Sequence, residues 1–81
     1  MKARVYVSLK STVLDPQGQT VRAALAGLGY HHISDVRQGK FFEIVLASGI
    51  DREQAGKDLE AIAREVLANP VIEEYRVELL E

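Results

Sequence analysis

Cysteine and tryptophan are absent from this 81-residue sequence, and it holds only two histidines, two prolines and one methionine. Without cysteine there can be no disulfide, no thiolate zinc site and no cysteine nucleophile, and the composition suits a reducing compartment. The adjacent His31 and His32 point to opposite sides of extended backbone, so they do not share a metal ion and read as loop residues. Ser8, Ser11, Ser34 and Ser48 lie in no motif that marks a nucleophile, and the carboxylates show no spacing that singles out an acid/base pair. Neither G-x-x-x-x-G-K-[ST] nor G-x-G-x-x-G occurs, so there is no standard nucleotide cradle. No apolar run approaches the ~20 residues needed to span a bilayer, and Met1-Lys2-Ala3-Arg4 leads into a strand pattern rather than a signal sequence. The expectation is a soluble, cytoplasmic chain folded as one domain over residues 1–81, with no catalytic, metal or cofactor-binding residue of its own.

What is present is a 47% apolar content, enough for a compact core, and a net charge of −2. A chain of this size buries only about 60–65% of its unfolded surface, so it gains much from a partner. The charge is split: residues 1–40 carry +4 and residues 41–81 carry −6. Blocks of opposite sign point to pairing within one domain rather than to a nucleic-acid footprint.

Ala3, Val5, Val7 and Leu9 alternate with Arg4, Tyr6 and Ser8, the pattern of a half-buried strand. Val21, Ala24, Leu25 and Leu28 recur at helical spacing, giving a helix over 16–28 with Gly29 as the residue after its cap and Tyr30 folding back over Leu25. Phe42, Ile44 and Leu46 alternate with Phe41, Glu43 and Val45 as a second clear strand. Ile33 to Gln38 reads as a weaker strand, either joined to it by a Gln38-Gly39 turn or forming one long bent strand with a bulge at Gly39. Asp51 with Gln54 resembles a capping box, followed by an apolar stripe of Ala55, Leu59, Ile62, Ala63, Val66 and Leu67 that stops at Asn69-Pro70. A last strand runs from Val71 to Leu80.

The order β-α-β-β-α-β implies an α+β, ferredoxin-like sandwich with both helices on one face of an antiparallel sheet. First and last strands are then neighbours, and Arg4 can meet Glu74 or Glu78. The helix-free face carries Tyr6, Phe41, Val45 and Leu80, an apolar patch expected to be covered by another subunit. Because that face mixes Arg4 and Arg76 with Glu43, Glu74 and Glu78, it does not suit RNA.

Two short segments remain. Asp15 is a good N-cap and Pro16 a good first helical residue, which leaves Gln17 and Gly18 without a local reason, since Gly in a first turn weakens a helix by roughly 1 kcal/mol relative to Ala. In Arg37-Gln38-Gly39-Lys40, two cations flank a glycine, either a charged hairpin tip or a cradle for a phosphate or carboxylate.

Together, Val5-Tyr6-Val7-Ser8-Leu9-Lys10, Val13-Leu14-Asp15-Pro16-Gln17-Gly18, Ala24-Leu25, Leu28-Gly29-Tyr30, Val36-Arg37-Gln38-Gly39-Lys40 and Glu43 resemble PurS, the small-subunit family of phosphoribosylformylglycinamidine synthase. The likeness runs from the first strand to the last. Ser11-Thr12 departs from it, standing where the family usually has Pro-Gly, which relaxes the approach to Val13. The resemblance implies a non-catalytic subunit joining a glutaminase, which releases ammonia from glutamine, to a large synthetase subunit in which ATP and magnesium act. It also implies self-association as dimers or tetramers, and partner contacts through Asp15, Pro16, Gln17, Gly18, Arg37, Gly39 and Lys40. Exposed backbone at the helix N-terminus suits docking against a partner's loop or carboxylate. The competing expectation is a free-standing ferredoxin-like regulatory domain that binds a small effector between two copies.

Overall fold

The fold is built around one central strand. A computed structural model describes residues 1–80. It contains β1 (Lys2–Leu9), α1 (Pro16–Gly27), β2 (Gly39–Val45), α2 (Arg52–Ile62) and β3 (Glu73–Leu80), with a π-helical turn over Ala63–Leu67 after α2. The sheet is antiparallel in the order β2-β1-β3. This is an α+β, ferredoxin-like arrangement in which first and last strands are neighbours, as the element order requires.

The strand alternation sorts the two faces. Ala3, Val5 and Val7 of β1 are fully buried, and Phe42 and Ile44 of β2 and Tyr75 and Val77 of β3 join them across the ladders. α2 supplies the cover through Ala55 and Leu59, and the π turn adds Ala63, all fully buried. Burying Val5, Val7 and Leu59 contributes about 1.5–3 kcal/mol each. α2 begins where the capping box placed it: the Asp51 carboxylate accepts the Gln54 N–H at 3.1 Å. Above the helix, the Tyr75 hydroxyl donates to the Glu60 carboxylate at 2.9 Å, which raises the hydroxyl's pKa above its usual 10.0.

Three sequence expectations need correction. Residues 33–38 form no strand, so neither the Gln38-Gly39 hairpin turn nor the long bent strand exists. The backbone there is committed elsewhere: Asp35 takes the Val36 N–H at 3.0 Å and Asp15 takes the Gln38 N–H at 2.7 Å, while Gly39 already pairs with Ser8. Secondly, the apolar stripe of α2 changes phase. The Ala68 N–H donates to the Ala63 carbonyl at 2.9 Å, five residues back, so the buried series runs Ala55, Leu59, Ala63, Ala68 and leaves Val66 74% exposed. Thirdly, α1 does not share the sheet face with α2. Val21 and Leu28 are exposed, and α1 makes no substantial packing contact with the sheet or α2. Its C-terminus closes as expected, with Gly29 at φ 100° and the Tyr30 N–H donating to the Leu25 carbonyl at 3.0 Å. The charge split is partly accounted for as well: Arg4 lies opposite Glu78 in the register, and its near ion pair is with Glu43 on β2, at 3.8 Å.

Candidate functional site

The segment that caps α1 and the segment that enters β2 lie more than twenty residues apart and meet at one place. Asp15 is the hub. One carboxylate oxygen accepts the Gly18 N–H at 3.0 Å, as an N-cap should, and the other accepts the Gln38 N–H at 2.7 Å. These bonds, with the nearby Arg37 charge, hold the Asp15 carboxyl below its usual 3.8 despite its burial. With both oxygens occupied and only 4% of the residue exposed, Asp15 is a bracket and no general base.

Arg37 answers from the other side. Its Nη2 donates to the Lys10 and Val13 carbonyls, both at 3.0 Å, and more weakly to the Leu9 carbonyl at 3.5 Å. Lys10 and Val13 are the two ends of a turn closed by the Val13 N–H on the Lys10 carbonyl at 2.9 Å. That turn holds Ser11-Thr12 without a positive φ, so it needs no glycine.

The glycines record how closely the two segments approach. A Cβ on Gly18 would collide with the Val36 carbonyl oxygen and the Asp15 carboxylate, which supplies the reason for a glycine in the first turn of α1. A Cβ on Gly39 would lie 2.8 Å from the Val7 carbonyl oxygen, so Gly39 permits close strand pairing rather than a turn.

Of the seven residues expected to meet a partner, Asp15 and Gly18 are therefore buried inside this junction, and Pro16, Gln17, Arg37, Gly39 and Lys40 are exposed. Between the segments lies a groove of about 300 Å³ lined by Ser8, Asp15, Gln17, Gln38, Lys40 and Glu73 among others. Gln17 and Gln38 also border a neighbouring depression of about 330 Å³ along Pro16, Thr20 and Val21. Glu73, Ser8 and Gln38 were not singled out as site residues by sequence reasoning. Only the register that sets Leu9 opposite Glu73 brings Glu73 here, and no local motif carries that information.

The helix-free face of the sheet holds the second candidate surface. Tyr6 and Phe41 pair across β1 and β2 with ring centroids 5.9 Å apart, and Val45, four residues further along β2 on the same face, is 72% exposed. Arg76 lies over the Tyr6 ring at 4.3 Å and Arg4 over Phe41 at 5.8 Å, while the Tyr6 hydroxyl donates to Glu78 at 3.2 Å. Leu80 stands opposite Lys2 on the same face, half-buried. This is a mixed-charge face with an aromatic centre. His31 and His32 are exposed in the turn after α1, with His32 edge-on to Tyr30 at 6.3 Å, and among the described residues no three potential metal ligands converge.

Residues 2–81 match the family PurS, phosphoribosylformylglycinamidine (FGAM) synthase. The chain belongs to the PurS family. It is 44% identical over 84 residues to the phosphoribosylformylglycinamidine synthase subunit PurS of Bacillus subtilis, covering 99% of this chain and 93% of the relative. Among solved structures, PurS of Methanocaldococcus jannaschii, one of the subunits of formylglycinamide ribonucleotide amidotransferase in the purine biosynthetic pathway, superposes with a TM-score of 0.82 at 35% identity, covering 99% of this chain and 98% of that one. A chain of the PurLQS structure from Thermotoga maritima superposes with a TM-score of 0.84 at 32% identity, covering 98% and 95%. The PurS segments Leu14 to Gly18 and Val36 to Lys40 are thus the two halves of one junction in space. No helix among the described residues is long and apolar enough to cross a membrane.

Proposed function

We propose that this chain is the PurS subunit of a cytoplasmic phosphoribosylformylglycinamidine synthase, where it bridges the glutaminase and synthetase subunits so that ammonia from glutamine reaches the ATP-dependent step. In that step formylglycinamide ribonucleotide becomes formylglycinamidine ribonucleotide. The glutaminase supplies the cysteine nucleophile, and ATP and magnesium act in the synthetase. Free ammonia is diluted and protonated in water, so a subunit that fixes the other two in register raises the yield of the glutamine reaction without performing chemistry itself.

The single observation that carries this reading is the junction at Asp15 and Arg37. Its polar groups are spent on holding two loop segments together, and what it presents outward is surface: Pro16, Gln17 and Lys40 beside an open groove. The match along almost the whole chain to a family of synthase subunits supports the same conclusion. Self-association through Tyr6, Phe41, Val45 and Leu80 belongs to the proposal, since that face holds the aromatic centre and carries no helix.

Co-elution with purified synthetase and glutaminase tests the assignment of the contact surface. The wild-type chain is expected to migrate with both, and replacing Gln17 and Lys40 together with Ala is expected to weaken that association at least tenfold, about 1.4 kcal/mol. Unchanged association of the double variant would move the contact surface elsewhere on the chain.

A further inference from the structure

The two halves of the junction are locked by an exchange of groups in opposite directions. Asp15, ahead of α1, takes a backbone N–H from the 36–38 segment, and Arg37, ahead of β2, gives its guanidinium to carbonyls of the 9–13 segment. Neither residue belongs to the core, which is made by Val5, Val7, Ala63 and Ala68 with their neighbours. Nor does α1 gain packing from the exchange, because it makes no substantial contact with the sheet or α2. What the exchange fixes is the course of residues 10–18, and with it the place of Gln17 in the groove that Lys40 also lines.

We propose that Arg37 and Asp15 are positioning residues for subunit coupling: they hold the 10–18 segment in its binding course before the partner subunits arrive, and they act through that segment. This inference rests on the PurS-subunit reading above. Asp15 is 4% exposed and has both oxygens engaged, so it has nothing to offer a partner directly. Arg37 is exposed, yet its Nη2 is spent on Lys10 and Val13, the two ends of the turn that opens the segment.

Preorganisation, unlike direct contact, leaves its mark on the free subunit as well as on its affinity. If only a fraction of free molecules holds the binding course, apparent affinity falls by that fraction, and saturating subunit still restores full activity. The experiment titrates this chain, and its Arg37→Ala, Arg37→Lys and Asp15→Asn variants, into purified synthetase and glutaminase, reading glutamine-dependent product formation. Arg37→Ala is expected to raise the half-saturating concentration by about tenfold with the plateau unchanged, as when about one free molecule in ten holds the binding course. Arg37→Lys recovers part of this, because an ammonium can donate to the same carbonyls as Nη2 but is more strongly hydrated. Asp15→Asn behaves like Arg37→Ala, since an amide turns an N–H against one of the two backbone N–H groups.

Hydrogen exchange on the isolated protein separates positioning from global unfolding. The Gly18 and Gln38 amides lose protection in the variants while the Val5 and Val7 amides keep theirs. A lowered plateau at unchanged half-saturation would overturn the proposal by showing that Arg37 touches the reaction path, and a raised half-saturation with amide protection intact would overturn it by showing that Arg37 touches a partner directly. So would lost amide protection with no change in half-saturation. If the wild-type chain supports no glutamine reaction, it is the PurS-subunit reading that fails, and the inference falls with it.

Discussion

Gly18 and Gly56 separate two meanings of a helical glycine. At Gly18 the added methyl meets the Val36 carbonyl, a backbone atom that cannot swing away, whereas at Gly56 in α2 nothing lies within 4 Å. Gly18→Ala is therefore expected to cost about 1–3 kcal/mol, the overpacking penalty exceeding the gain in helix propensity. Gly56→Ala is expected to stabilise by about 0.4–1 kcal/mol. Urea unfolding of both variants checks the contrast. Asp15 sets a pH dependence of known sign. Because its folded pKa lies below 3.8, its contribution is complete above that value and is lost as pH falls through the lower folded one. Thermal melts between neutral pH and pH 3 should show a steeper acid loss for the wild type than for Asp15→Asn. The identities at this junction were legible in the sequence, as the N-cap, the misplaced glycine and the Arg-x-Gly-Lys run. Their meeting was not legible, because the Asp15–Gln38 bond spans 23 residues and no periodicity encodes it.

Elements behave as their local signals dictate wherever their backbone N–H groups find helix or ladder partners. β1, α2 and β3 follow period and cap, and the Asp51 bracket at α2 predicts that Asp51→Ala costs about 1 kcal/mol, measurable by chemical denaturation. Leu59→Ala, which empties the centre of the α2 contact, is expected to cost about 2–5 kcal/mol in the same assay. Residues 33–38 escape the pattern because side chains of Asp35 and Asp15 intercept N–H groups that a strand would have used. The π turn at 63–67 escapes it for another reason. A single extra residue in the hydrogen-bond cycle moves Ala68 into the core and Val66 out, and apolar composition alone does not distinguish the two phases.

At the scale of the whole molecule the chain is long and thin, 51 × 27 × 14 Å, with a radius of gyration of 16.2 Å. A compact chain of this length would have about 12 Å. The difference reflects α1, which makes no substantial contact with the sheet, and it suits a subunit whose work is contact. Self-association through the open sheet face predicts that Phe41→Glu combined with Val45→Lys shifts sedimentation toward the monomer and removes the dependence of Tm on protein concentration. Coupling of the two other subunits by this one is read from one comparison: product formation by purified synthetase and glutaminase with and without this chain, using glutamine or free ammonia as the nitrogen source. The chain is expected to restore the glutamine reaction, while the ammonia reaction barely responds to it. A glutamine reaction that runs equally well without the chain would contradict the coupling role.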